Sequence, residues 1–160
     1  MNRTTVERKS DREVVVTRTF DAPVRLVFEA WTNPELFEQW WVPRSMGMTL
    51  RSCELDVRTG GNYRLVFGDD PASPMAFFGT YLDVVPNQRI VWTNEESGAD
   101  DSVTTVTFEE KNGITTLVMS ELYPTKEALD AAGTGAQEAM NETFGQLDKL
   151  LASLAAAARS

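Results

Sequence analysis

Residues 13–41 read EVVVTRTFDAPVRLVFEAWTNPELFEQWW, and the hydrophobic period changes inside them. Glu13 to Phe20 is rich in β-branched residues, which suits a strand. Asp21-Ala22-Pro23 then turns the chain. Asp21 is placed to cap a helix, and Pro23 is tolerated in its first turn. Val24, Val27, Phe28 and Trp31 recur at helical spacing. Asn33-Pro34 restarts a second short helix that carries Phe37, Trp40 and Trp41 and stops at Pro43.

Downstream, from Met48, the period becomes two. Leu50 to Val57, Asn62 to Phe67, Met75 to Val85, Arg89 to Asn94, Ser102 to Glu110 and Ile114 to Leu122 all read as strands. Short turn-forming separators, with Lys111-Asn112-Gly113 the strongest hairpin signal, imply an antiparallel meander rather than βαβ crossovers. After Pro124, Thr125 caps a first helical turn and Gly133-Thr134-Gly135 makes a break. A last helix then runs to about Ala157, with Ala136, Met140, Phe144, Leu147, Leu151 and Leu154 on one face. Upstream, residues 1–12 are polar and charged and read as a flexible arm before a single domain over 13–157. The apolar stripe of the long helix needs cover, and one face of the sheet supplies it. The expected architecture is α+β: a curved antiparallel sheet of about seven strands wrapped around a C-terminal helix, the helix-grip arrangement.

Composition narrows the chemistry. The 160 residues carry a net charge of −9, from 24 acidic and 15 basic side chains. Such a surface repels phosphates and anionic lipid on average, so neither nucleic acid nor membrane is an expected partner. There is no histidine and only one cysteine, Cys53. That removes Ser-His-Asp and Cys-His catalysis and the usual zinc and iron ligand sets, leaving carboxylates, Tyr, Lys and Arg for any chemistry. No metal and no cofactor is expected. The lone cysteine, the polar N-terminus and the lack of a long apolar run suit the cytoplasm.

Three stretches carry a resemblance: Phe20-Asp21-Ala22-Pro23, Val27-Phe28-Glu29-Ala30-Trp31-Thr32-Asn33-Pro34-Glu35, and Gln39-Trp40-Trp41. Cys53 to Gly61 (CELDVRTGG), Phe78-Gly79-Thr80-Tyr81 and Val103 to Glu110 (VTTVTFEE) extend it. Together they resemble the AHSA-type proteins of the START-like SRPBCC superfamily, related to the C-terminal domain of the heat-shock-protein-90 ATPase activators. The resemblance spans about Glu13 to Leu154. It implies a helix-grip fold with an apolar cavity, in a superfamily that includes lipid carriers, polyketide cyclases and aromatases. The activators' separate chaperone-binding domain has no counterpart here. Ala136-Gln137 stands where many relatives carry Gly-Trp.

Alternate residues of a strand share a face, so parity assigns the cavity lining. Tyr63, Leu65 and Phe67 are expected inside, as are Phe77, Gly79 and Tyr81, Ile90 and Trp92, Val106 and Phe108, and Leu117 and Met119. Met140 and Phe144 face them from the long helix, while Trp40, Trp41, Met46 and Met48 form the mouth. Val24, Phe28 and Trp31 are expected to be plain helix core. Among polar residues Asp83, Asn94 and Glu121 share the inward parity, which marks a cavity mouth, a hydrogen-bonded pair or a ligand contact. Arg51, Arg64 and Arg89 belong outside. The candidate ligand-binding set is Trp40, Trp41, Met48, Tyr63, Leu65, Phe77, Tyr81, Trp92, Asn94, Phe108, Met119, Glu121, Met140 and Phe144. The function that follows is binding of a small apolar or aromatic molecule by a monomer or homodimer, in a carrier or sequestering role. Two alternatives stay open: a cofactor-free cyclase- or hydrolase-like enzyme using Tyr81 with Glu121 or Asp83, and a chaperone-associated interaction domain.

Overall fold

The structure, a computed structural model, describes residues 4–42, 50–67, 75–95, 102–132 and 135–159. Chain order is β1 (Thr5–Arg8), β2 (Glu13–Phe20), α1 (Val24–Thr32), α2 (Pro34–Trp40), β3 (Leu50–Leu55), β4 (Asn62–Phe67), β5 (Met75–Val85), β6 (Arg89–Asn94), β7 (Ser102–Lys111), β8 (Ile114–Leu122), α3 (Lys126–Ala132) and α4 (Gly135–Arg159). The sheet runs β1-β2-β8-β7-β6-β5-β4-β3, with every neighbouring pair antiparallel. The helix-grip expectation holds, and α4 lies against α1, α2 and β2.

Two local expectations need correction. The segment expected as a free arm contains β1, whose Thr5–Arg8 pairs residue by residue with Thr17–Val14. Among the described residues the sheet therefore has eight strands, one more than expected. This strand is short and mostly exposed, so it has no alternating pattern to betray it, and its pairing comes from the open edge of β2. Asp21 does not cap α1. The cap position is Pro23, which offers no side-chain acceptor, and the Glu110 carboxylate of β7 takes the Val24 N–H at 2.7 Å. A long-range carboxylate thus does the work of a local cap at the positive end of the helix dipole.

Other turns follow local rules. Asn33 caps α2 through the Glu35 N–H, 3.0 Å away, and Thr125 accepts the Ala128 N–H at 3.0 Å. Asn112 and Gly113 both have positive φ, 55° and 79°, the two-residue turn expected between β7 and β8. The core forms between the sheet's inner face and the helices. α1 contributes Leu26, Val27, Ala30 and Trp31, and α4 contributes Met140, Phe144, Leu147 and Leu151.

One core position is charged. Val14, Val16, Arg18 and Phe20 share the inner face of β2, and all are buried. The Arg18 guanidinium pairs with Asp148 of α4 and donates to the Thr4 hydroxyl at 2.7 Å, while its Nε has no partner among the described residues. Sheet and helix are thus joined by an ion pair whose arginine is only 7% exposed and whose aspartate is 29% exposed.

Candidate functional site

The inner face of the sheet is built in cross-strand rows. One row runs Val14–Glu121–Thr104–Trp92–Tyr81 across β2, β8, β7, β6 and β5. The next runs Val16–Met119–Val106–Ile90–Val84. On β4 and β5, Tyr63 stands opposite Gly79 and Leu65 opposite Phe77. The parity rule therefore brings together most of the predicted set. Tyr63, Leu65, Tyr81, Trp92, Phe108, Met119, Met140 and Phe144 are all at most 9% exposed and belong to one cluster, with Phe77 half-buried against it. Met46 and Met48 lie outside the described residues.

Gly79 has a steric reason. A Cβ there would stand 1.9 Å from the Thr93 carbonyl oxygen and 2.8 Å from the Tyr63 ring. Only a residue without a side chain lets Tyr63 lie across β5. Its hydroxyl then donates to the same Thr93 oxygen at 2.8 Å.

Of the three polar residues whose parity points inward, one is elsewhere. A β-bulge between Tyr81 and Asp83 inserts an extra residue, so Asp83 comes opposite Val91 instead of keeping the face of Tyr81. It pairs outside with Arg89, at 2.6 Å. An acid–base partnership of Tyr81 with Asp83 is therefore not assembled. Asn94 and Glu121 are half-buried and join one polar chain at the end of the interior. The Tyr63 hydroxyl lies 3.3 Å from Asn94 Oδ1, and the Asn94 amide donates to Thr104 at 3.0 Å. The Thr104 hydroxyl reaches Glu121 at 3.3 Å, and the Tyr123 hydroxyl donates to Glu121 at 2.7 Å. Both Glu121 oxygens are engaged, so its carboxylate is held as an acceptor.

The titratable groups nearest the apolar wall are pushed toward neutrality. Burial raises the Tyr81 phenol well above its ordinary value, with further contributions from Cys53 and Asp56. Burial and the nearby Glu38 carboxylate raise the Cys53 thiol to about 11. Neither ionises near pH 7. Tyr81 therefore presents a phenol and Cys53 a thiol to their surroundings.

The aromatic mouth divides in two. Trp40 is fully buried and donates its indole N–H to the Ala30 carbonyl at 3.0 Å, so it staples α2 to α1. Gln146 of α4 donates to the Trp40 and Val42 carbonyls, both at 2.9 Å, which seats the end of α2 on the long helix. Trp41 is half-buried and stacks on Phe37 with ring centroids 4.9 Å apart. The centre of this group is Trp31, which the helical spacing of α1 marks only as core. Its ring lies 4.9 Å from Trp40, 5.7 Å from Trp41, 5.8 Å from Trp92 and 6.3 Å from Phe108. Its indole nitrogen is buried and has no hydrogen-bond partner among the described residues.

A hollow of about 490 Å³ opens beside β3, β4 and β5, lined by Glu54, Asn62, Arg64, Phe78 and Glu95 together with Tyr63 and Gly79. Hydrogen bonds from Thr93 and Thr80 hold the Glu95 carboxyl below its usual range. The hollow is an open, charged depression. The apolar lining of the inner face makes that face the better candidate site.

The comparisons agree with this architecture. Residues 21–152 match the family described as Activator of Hsp90 ATPase homolog 1-like protein. The chain belongs to that family. A crystal structure of a Rhodobacter sphaeroides protein is 26% identical, with a TM-score of 0.83 over 95% of this chain and 99% of that one. A solution structure from Staphylococcus epidermidis is 28% identical, with a TM-score of 0.75 over 93% and 94% of the two chains. A Nitrosomonas europaea protein shares the fold at 23% identity, with a TM-score of 0.80 over 93% and 99%. No curated protein matches the sequence. Family membership thus brings the helix-grip fold with it, while the ligand has to be argued from this chain's own residues. No described helix is long and apolar enough to cross a membrane.

Proposed function

We propose that the space between the inner sheet face and the helices binds a small, largely apolar, neutral molecule, which the protein carries or sequesters. The observation that supports this most is the division of the inner face. An aromatic and thioether wall (Trp31, Trp92, Tyr81, Phe108, Met119 and Met140) meets the polar chain from Tyr63 to Tyr123 at one end. Apolar walls with a few convergent polar groups are the usual composition of a small-molecule site. The methionines add pliability, since a thioether side chain adapts to irregular shapes at little cost. Binding rather than catalysis is the reading because Asp83 faces outward and both Glu121 oxygens already accept hydrogen bonds.

The test is a pair of measurements on the whole chain. Nile red, a neutral apolar fluorophore, should gain emission on titration with the parent protein. Met119→Trp, which fills the space beside Val16 and Val106, should abolish that gain while keeping a cooperative melt. In a close-packed interior the same overpacking would cost roughly 1–3 kcal/mol. A parent that does not bind Nile red, with a strongly destabilised variant, would mean that the interior is solid and the reading is wrong.

A further inference from the structure

The Trp31 indole nitrogen has the least explained environment in the interior. The residue is 3% exposed, and its N–H has no acceptor among the described residues. A buried donor left unsatisfied is uncommon in folded proteins and costs free energy, so such a group calls for an explanation. The other indole of the core whose bonding is described, that of Trp40, is satisfied by the Ala30 carbonyl. A buried water is a poor answer, because a trapped water needs two to four polar partners. Trp31 is surrounded by the rings of Phe37, Trp40, Trp41, Trp92, Phe108 and Phe144. The missing partner is then an acceptor that arrives with an apolar body.

We propose that Trp31 is a specificity-determining residue of the interior site, its indole N–H selecting neutral apolar ligands that carry a carbonyl or similar acceptor oxygen. This inference rests on the binding reading above. An indole N–H is a donor only, so it can reward an acceptor and cannot reward a hydroxyl proton or an ammonium group. A charged ligand is disfavoured as well, because the six rings around Trp31 offer nothing to replace its hydration.

The test uses two probes of matched shape, 2-acetylnaphthalene and 2-ethylnaphthalene, with Trp31→Phe, which keeps a ring and removes the donor. Affinities are measured by equilibrium dialysis on the whole chain. Loss of one neutral hydrogen bond should weaken the ketone by roughly tenfold and leave the hydrocarbon within about twofold. Equal weakening of both probes would assign Trp31 to packing alone. No weakening of either would mean that the N–H points at the ring face of Trp40 or Trp41. Both results overturn the inference while leaving the binding reading intact. If neither probe binds the parent, both readings fail together. Should Trp31→Phe not fold, the parent decides: with 15N-labelled indole, saturating ketone should shift one buried indole N–H resonance downfield, and the hydrocarbon should not. A resonance unmoved by bound ketone overturns the inference equally.

Discussion

The Arg18–Asp148 pair gives the sharpest quantitative expectation, because its two halves are not equivalent. Arg18 sits on the inner face of β2 at 7% side-chain exposure, and Asp148 reaches it from α4 while remaining 29% exposed. Asp148→Asn removes the compensating charge and leaves a guanidinium in the core, with the Thr4 hydroxyl as its remaining neutral partner. Breaking a buried pair in this way costs about 3–5 kcal/mol. The partial exposure of Asp148 admits some water, which places the expectation near 3 kcal/mol. In a chain of this size that corresponds to a fall in Tm of roughly 6–12 °C. Arg18→Met takes the charge away and fills similar volume, and it also removes the orphaned Nε. Its cost should lie within about 1 kcal/mol of zero, because replacing buried ionic groups by apolar ones is often neutral or stabilising. The double variant should resemble Arg18→Met alone, which gives a coupling of roughly 3 kcal/mol in a double-mutant cycle. Urea unfolding followed by circular dichroism at two salt concentrations is the assay, and the coupling should change little with salt because the pair is mostly shielded from it. Equal losses from the two single variants, adding in the double, would refute the argument and make the pair an ordinary surface contact.

Three further expectations follow from the geometry. Gly79→Ala places a methyl group 1.9 Å from a backbone oxygen, and should cost roughly 3 kcal/mol, read as a loss of about 6–12 °C in Tm; a variant that melts within 2 °C or so of the parent would show that β5 and β6 can part there easily. Truncation after Gly135 removes Met140, Phe144, Leu147 and Leu151 from the core, so no cooperative thermal transition should remain, and a sharp melt in the truncated chain would contradict the packing described for α4. With its thiol raised from 9.0 to about 11, Cys53 should react with a disulfide reagent at pH 8 on the order of a hundredfold more slowly in the folded protein than after urea unfolding. The sign for stability is set by the same shift. Above about pH 9 the unfolded chain gives up the thiol proton while the folded chain keeps it, so Cys53 makes stability fall as pH rises from about 9 to 11. A Cys53→Ser variant should lose part of that slope, and an unchanged slope would rule the thiol out as its source.

Much of this fold is legible in the chain because period-two alternation survives wherever a strand has one wet and one dry face. Tyr63, Leu65 and Phe67 against Asn62 and Arg64 are a plain case, and the structure buries the first three and exposes the other two. The misreadings share a cause, which is that a distant partner decides the outcome. Asp83 is turned out by a bulge, and nothing in Leu82-Asp83-Val84 announces it. Thr5–Arg8 becomes a strand because β2 offers an edge, and Glu110 replaces Asp21 as the helix cap because the fold carries β7 to that end of α1. Arg18 was visible in part, since Val14, Val16 and Phe20 share its parity, yet its partner lies 130 residues along the chain. For Trp31, spacing reveals burial but not whether its nitrogen finds an acceptor. That question exists only in three dimensions.

The pairing of β2 with β8 has a consequence for the making of the protein. β2 leaves the ribosome well before its inner neighbour in the sheet, which begins at Ile114, nearly a hundred residues later. At about 5–20 residues per second, that interval is on the order of 5–20 s. Throughout it Val14, Val16 and Phe20 have neither β8 beside them nor α4 above them, and only Thr5–Arg8 can pair with their strand. A nascent chain in this condition offers an apolar, half-paired strand to whatever surveys the exit tunnel. Once β8 emerges it pairs with β2 along the whole of Glu13–Phe20, and that exposure ends.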